Sequence, residues 1–282
     1  MEEVKPIQFF DLNGLAAESL FAELDQVWQA LDLIKDFIQA AIKPNVRELR
    51  ARGEVTSQTQ VLWRGQVFSD DLEIKAGDPA KGQFEVRRRG ELLEGAAVVY
   101  SGVALMDDRI ELGPGVVVEP GALIKGPTII GERTEVRQGA YLRGSCLVGR
   151  RCVVGHATEM KNSIILDGAK AGHFAYLGDS ILGREVNLGA GTKLANLKIV
   201  PLPIRIKVKD VFLEVDRRKF GAILGDHTET GCNSVTSPGT VMGPLCLVAP
   251  NMTVPSGYHP RGTAIRPKRT RAPNIPPRAL NR

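Results

Sequence analysis

The sequence predicts a mainly β chain: a left-handed parallel β-helix of about seven coils, with a small N-terminal α+β cap and an extended basic C-terminal tail. Three observations predict it. An aliphatic residue recurs every six positions from Leu112 to Leu166. Gly (30) and Pro (17) are abundant while aromatic residues make up only 5%, which suits many tight turns around a narrow aliphatic core. The last stretch, from Arg261 onward, holds seven basic residues and no acidic one.

The repeat runs Leu112, Val118, Ile124, Ile130, Val136, Leu142, Val148, Val154, Met160, Leu166. Four positions after each of the first nine comes a smaller residue: Val116, Ala122, Thr128, Thr134, Ala140, Cys146, Cys152, Thr158, Ile164. A period of six matches neither a helix nor an alternating strand. It matches short strands separated by turns, each strand giving one aliphatic residue to a common axis. Three hexads close one coil. Hexad coils of this kind wind left-handed, against the usual crossover rule. The pattern returns at Leu182, Leu188 and Leu194, and again at Leu224, Thr230, Thr236, Met242, Val248 and Val254.

Two defects interrupt it. The phase slips between Leu166 and Leu182. Residues 200–220 leave the pattern, and RIKVKD and VFLEVD within them read as two strands of a protruding hairpin. Defects in a solenoid are where loops and sites form.

The first hundred residues differ. Phe21, Leu24, Val27 or Trp28, Leu31, Ile34, Ile38 and Ile42 recur at helical spacing until Pro44, giving one amphipathic helix or two short ones. VLWRGQVF, LEIKAG and QFEVRRR are strand-like runs between turn signals. This part is expected to cap the open first coil, because a solenoid end needs covering. The expected units are thus 1–100 (cap), 101–258 (β-helix with the inserted hairpin) and 259–282 (tail).

Charge and cysteine usage exclude several classes. The net charge of +5 belongs to the tail, since residues 1–260 hold 30 basic against 32 acidic residues. A solvated or docked arm is preferred to a nucleic-acid partner. No apolar run reaches the length of a membrane span, and the acidic start MEEVKPIQFFDLNG lacks the features of a secretory leader, so a cytoplasmic protein is expected. The four cysteines form no CxxC pair, and Cys146, Cys152 and Cys246 fall at small inward positions, which reads as packing without metal or disulfide.

The densest polar segment is EMKNSIILDGAKAGHFAYLGDSILGREVNLGAGTKLAN, residues 159–196. Its Gly172-His173, Tyr176-Leu177-Gly178-Asp179-Ser180 and Val186-Asn187-Leu188-Gly189-Ala190-Gly191-Thr192 resemble the acetyltransferase half of the bifunctional enzyme that makes UDP-N-acetylglucosamine. They also resemble the β-helical half of archaeal-type sugar-1-phosphate nucleotidylyltransferases. The resemblance spans about 105–255. It implies His173 as general base, Arg143 and Lys161 on a phosphate, Tyr176 and Asn187 on the sugar, and Asn196 near the reacting amine and acetyl group. It further implies acetyl-CoA as co-substrate, no metal in acetyl transfer, an amino-sugar phosphate as acceptor, and a homotrimer with sites between subunits. The family's Asn-Tyr-Asp-Gly reads Asn196-Leu197-Lys198-Ile199 here, and residues 1–100 contain no Gly-rich nucleotide loop.

The chemistry agrees with those residue types. A thioester is attacked by a neutral amine, and imidazole accepts the amine's proton near neutral pH at modest cost. Without the motif, His173 would read as a turn histidine, as His156, His227 and His259 do. Lys125 joins the set on arithmetic alone: Lys125, Arg143 and Lys161 each follow a hexad aliphatic and stand 18 residues apart, which stacks them on one face. Such a ladder either pairs with acids such as Glu119, Glu135 or Glu159, or cradles phosphate. The expected function is an acetyl-CoA-dependent N-acetyltransferase for an amino-sugar phosphate or nucleotide-linked amino sugar. The alternatives are a non-catalytic β-helical sugar-nucleotide-binding protein and a nucleotidylyltransferase relative.

Overall fold

The computed structural model describes residues 1–267. The basic tail expected from 259 lies outside the described residues beyond Pro267. Within them, three parallel sheets make the sides of a β-helix. In chain order, each coil contributes a strand to the first, second and third face. The first face holds nine such strands, from Ala97–Val99 to Ala264–Ile265; the second runs from Ala104–Leu105 to Thr253–Val254 and the third from Ile110–Leu112 to Gly257–His259, with eight each. The coil count is therefore eight to nine, against the seven expected. The helix starts before residue 101, runs past 258, and includes a coil hidden by the phase slip.

The axis is filled as the hexads require. Ile124, Ile130, Val136, Leu142, Val148, Val154 and Met160 are buried in one core with Leu182, Leu188, Leu194, Leu224, Met242, Val248 and Val254. At the slip the register corrects the sequence reading. Ile165, and not Leu166, enters the axis, followed by Ala171 and Leu177. Ile164 and Leu166 face outward into a second cluster. The cause is a shortened corner between the second and third faces. Leu142 to Val148 takes six residues, whereas Met160 to Ile165 and Leu177 to Leu182 take five. Asn162 (φ 45°) and Asp179 (φ 47°) make these tight turns in the left-handed region, which Asn and Asp tolerate. In the following coil the same corner carries the insertion, with hairpin strands Ile204–Val208 and Val211–Val215 paired antiparallel.

The third face is apolar on both sides. Ile129, Leu147, Ile164, Ile181, Ile223, Val241 and Tyr258 stack outward in register, one per coil. The N-terminal segment covers them. Helix α1 (Glu18–Phe21) and helix α2 (Ala30–Ala41) are the two short helices that the spacing allowed. Gln26 and Gln29 close a capping box just before α2, whose buried Ala30, Ile34 and Ile38 recur at i, i+4 and i+8 with Leu31 beside them. Phe9, Phe10, Phe21, Trp28 and the inner hairpin residues Ile204, Ile206, Val208 and Val215 complete this cover.

Residues 1–42 thus lie along the side of the helix and not over its end, which corrects the expected cap. The end is closed by a later segment: Val46, Leu49 and Leu62 join the axial core. Asn45 pins it, its Nδ2 donating to Leu112 O at 2.8 Å and its Oδ1 accepting from Leu112 N at 3.0 Å. Strand Gln60–Trp63 then pairs antiparallel with Ala97–Val99.

Candidate active site

The second face is left uncovered by the N-terminal segment, and its two corners carry most of the candidate residues. Pairing of Leu123–Ile124 with Tyr141–Leu142, and of these with Glu159–Met160, sets Lys125, Arg143 and Lys161 at one register position in successive coils. Part of the ladder is internally compensated. Arg143 Nη1 meets Glu159 Oε1 at 2.7 Å, and this bond raises the Arg143 pKa. Lys125 Nζ and the Arg143 guanidinium stand 5.5 and 5.9 Å from the Tyr141 ring centre, within cation–π range. Among the described residues, Lys125 and Lys161 have no carboxylate partner within ion-pair distance.

One position further along the corner is a second stack. The register places Asn162, Asp179 and Asn196 above one another. Asp179 is 5% exposed. Its Oδ1 accepts from Asn162 Nδ2 at 2.9 Å and from Arg217 Nη2 at 3.2 Å, and its Oδ2 accepts from Asn196 Nδ2 at 2.7 Å. Asn196 Oδ1 in turn accepts from the Tyr176 hydroxyl at 3.3 Å. Burial first, then the Glu159 and Asp179 charges, pushes the Tyr176 phenol pKa up, so it keeps the proton it donates. Neither Asp179 nor Arg217 stands out in the sequence as a site residue. The signal was the Asp after Gly178 in a shortened coil.

His173 occupies the other corner. It ends strand Lys170–His173 and is exposed, and three residues later Tyr176 opens the second-face strand. His173 pairs in register with His156 of the preceding coil. His156 Nδ1 donates to Gln138 O at 2.9 Å, and the Phe174 ring packs edge-on to His156 with centroids 5.0 Å apart. His156 therefore belongs to this corner, although no motif marks it. Asn187 lies elsewhere: it is exposed on the first face, in register between Lys170 and Glu229. One chain thus gathers Lys125, Arg143, Lys161, Tyr176 and Asn196 at one edge of the second face. It sets His173 at the opposite edge and Asn187 around the corner.

The cysteines take no part. Cys146 and Cys152 are fully buried, and desolvation pushes both thiols up to about 12; burial raises Cys246 as well. The Cys146 thiol donates to Gly144 O at 3.3 Å and the Cys152 thiol to Leu166 O at 3.2 Å. Among the described residues no group of three or more His, Cys, Asp or Glu is arranged to hold a metal, and no helix is long and apolar enough to cross a membrane.

Fold and corner residues together define a hexapeptide-repeat parallel β-helix with a polar, cation-lined second face. In sequence, a family described as the GMPPB C-terminal domain matches residues 124–258. A bifunctional sugar-1-phosphate nucleotidylyltransferase/acetyltransferase of Sulfurisphaera tokodaii is 38% identical over 100 residues, covering 36% of this chain and 25% of that protein. The bifunctional protein GlmU of Stutzerimonas stutzeri is 33% identical over 250 residues, covering 86% of this chain and 49% of its own length. The chain spans about a quarter of the length of the first curated relatives it matches, and about half of the Stutzerimonas protein. The acetyltransferase domain of PglB from Neisseria gonorrhoeae aligns over 52% of this chain and 54% of its own at 16% identity, with a TM-score of 0.30, a slight likeness. The chain is therefore similar in sequence to part of these bifunctional proteins.

Proposed function

We propose that this chain transfers an acetyl group from acetyl-CoA to the amine of an amino-sugar phosphate resembling glucosamine-1-phosphate, or of a nucleotide-linked amino sugar. The observation that carries the reading is the joint placement of Arg143 and Lys161 beside the Tyr176–Asn196 pair, with His173 across the same face. Arg143 and Lys161 bind the phosphate. The Tyr176 oxygen, its proton committed to Asn196, accepts from a sugar hydroxyl. His173 takes a proton from the amine as its nitrogen bonds the thioester carbonyl carbon. The tetrahedral oxyanion is held by turn N–H groups, and its collapse breaks the C–S bond and releases CoA, which recovers the proton.

Asn187 lies around the corner from Tyr176, and the third face is covered by the chain's own N-terminal segment. Both facts favour a site completed where the first face of one copy meets the second face of another, in a homotrimer. The test is acetyl-CoA turnover across a panel of amino-sugar phosphates and UDP-linked amino sugars. Turnover on at least one, and none on the same sugars N-acetylated beforehand, is expected. No turnover on any of them sinks the reading.

A further inference from the structure

The structure assigns Arg217, from the base of the inserted hairpin, as a positioning residue for the sugar end of the proposed acetyl-transfer site, acting through the buried carboxylate of Asp179. This deepens the function proposed above and rests on it.

Asp179 has a side chain only 7% exposed, and Arg217 one that is 13% exposed. A buried carboxylate is tolerated when its oxygens are filled by donors and its charge is met. Two of the three side-chain donors are neutral amides, from Asn162 and Asn196; Arg217 supplies the charge. Arg217 is itself held from two sides. Its Nη1 bonds Asp32 on α2, and its Nε donates to Lys219 O at 3.2 Å. Backbone bonds close the base of the insertion over the same corner: Phe220 N donates to Asn196 O at 2.9 Å, and Gly221 N to Asp179 O at 2.9 Å.

The consequence reaches the open face through one amide. Asp179 Oδ2 takes Asn196 Nδ2, which fixes which way the Asn196 amide faces. Its oxygen is thereby presented to Tyr176, whose hydroxyl must donate. The phenolic lone pairs are left for a ligand hydroxyl. With Arg217 removed, Asp179 loses its charge partner and one of its three side-chain donors, and its carboxylate is free to rotate away from Asn196. Arg217 touches no ligand in this scheme. It holds the group that orients the group that does.

The test compares wild type, Arg217→Met and Arg217→Lys in the full chain, with Tyr176→Phe marking the loss of the sugar contact itself. Positioning predicts that Arg217→Met raises KM for glucosamine-1-phosphate about tenfold, the size of one lost charge-assisted hydrogen bond. KM for acetyl-CoA should stay within about twofold, since only the sugar end is disturbed. Lys should restore most of the loss. An unchanged sugar KM, or a rise in both KM values with a parallel fall in kcat, overturns the assignment.

A second readout does not need turnover. The Asn196 side-chain amide protons, assigned with Asn196→Asp, should be displaced and slow to exchange in wild type. They should move to ordinary values in Arg217→Met while the backbone amides of the coils keep their positions. Unmoved Asn196 resonances overturn the positioning role even if no sugar is acetylated. Moved resonances in a protein that acetylates nothing sink the proposed reaction and leave the positioning intact. If Arg217→Met does not fold, Asp32→Asn loosens the outer end of the same clamp. It should shift the Asn196 resonances in the same direction by less, and no shift overturns the assignment.

Discussion

Gly178 lies directly beneath the Tyr176 hydroxyl. A Cβ built on residue 178 would stand 2.7 Å from Tyr176 Oη and 2.4 Å from Asn196 Nδ2. The coil before has Lys161 at this register position, so the ladder of cations stops where the Tyr–Asn pair needs the space. Gly178→Ala should therefore push both groups aside. The overpacking should cost roughly 1–3 kcal/mol of stability. Sugar-phosphate KM should rise by more than that for acetyl-CoA. A thermal melt and steady-state kinetics on the purified variant measure both.

His173→Ala should lower acetyl transfer by about 10²–10⁴, the usual contribution of a general base. Acetyl-CoA binding and assembly state should be kept, because His173 is exposed at a corner and supports no core. Calorimetric titration with acetyl-CoA and light scattering check the second half. A variant with near wild-type turnover would remove His173 from the mechanism.

The cation ladder divides into a paired and an unpaired part. Arg143 already leans on Glu159, and Lys161 stands in register with Gly178 of the next coil. Arg143→Ala and Lys161→Ala should each weaken binding of the amino-sugar phosphate about tenfold or more, as expected for charged hydrogen bonds to phosphate. Lys125→Ala, one coil further out, should do less. An unphosphorylated amino sugar should bind all three variants as it binds wild type. Equal losses for both ligands would show a structural role.

Tyr176 also sets a pH limit. Its folded-state pKa is raised above the ordinary value near 10, so the proton donated to Asn196 is fully present below the ordinary range. The bond is lost as pH rises through the raised folded value, and its stabilisation goes with it. The absorbance step of tyrosinate that disappears in Tyr176→Phe should therefore lie above pH 10. A missing step already complete at pH 10 contradicts the burial that the structure shows.

The thiols offer a check on the packed axis. At pH 8 a thiol-specific reagent should modify the exposed Cys232 quickly. Cys146, Cys152 and Cys246 should react only after denaturant is added, because their thiolates are suppressed by burial. Fast release of more than one thiol equivalent from the native protein would mean that the axis opens.

The six-residue period was legible because one aliphatic residue must meet the axis at a fixed register on every face. It failed at 164–166, where three aliphatics stand in a row and nothing local says which one points inward. The missing turn residue lies at the Lys161–Asn162 corner and leaves no mark of its own. A second signal lies in the third face. Third-face strands read TII, CLV, SII, AIL and TVM, apolar at both inward and outward positions. A strand covered on both sides reads as a continuous apolar run. That pattern required a partner for the outward stripe, which α2 and the hairpin supply. Arg143, Lys161, Tyr176 and Asn196 were legible from their motif and their spacing. Arg217 was not, because its partner Asp179 is 38 residues away across an insertion and no periodicity joins them.

The cover over the third face also bears on the order in which the molecule forms. Phe21, Leu31 and Ile38 are synthesised first, yet the stripe on which they rest extends from Ile129 to Tyr258. Contacts of such sequence separation close late and slowly, since the loop must be drawn in before any burial repays it. The coils can stack one by one as nearest neighbours, each on the last. The leading forty residues have no native surface to rest on until several coils exist, and Phe220 and Ile223 of the far side must also be in place before the cover is complete. Until then a row of seven apolar side chains stands open on a flat sheet face, and an unfinished chain is exposed to self-association along that row until its own N-terminal segment docks.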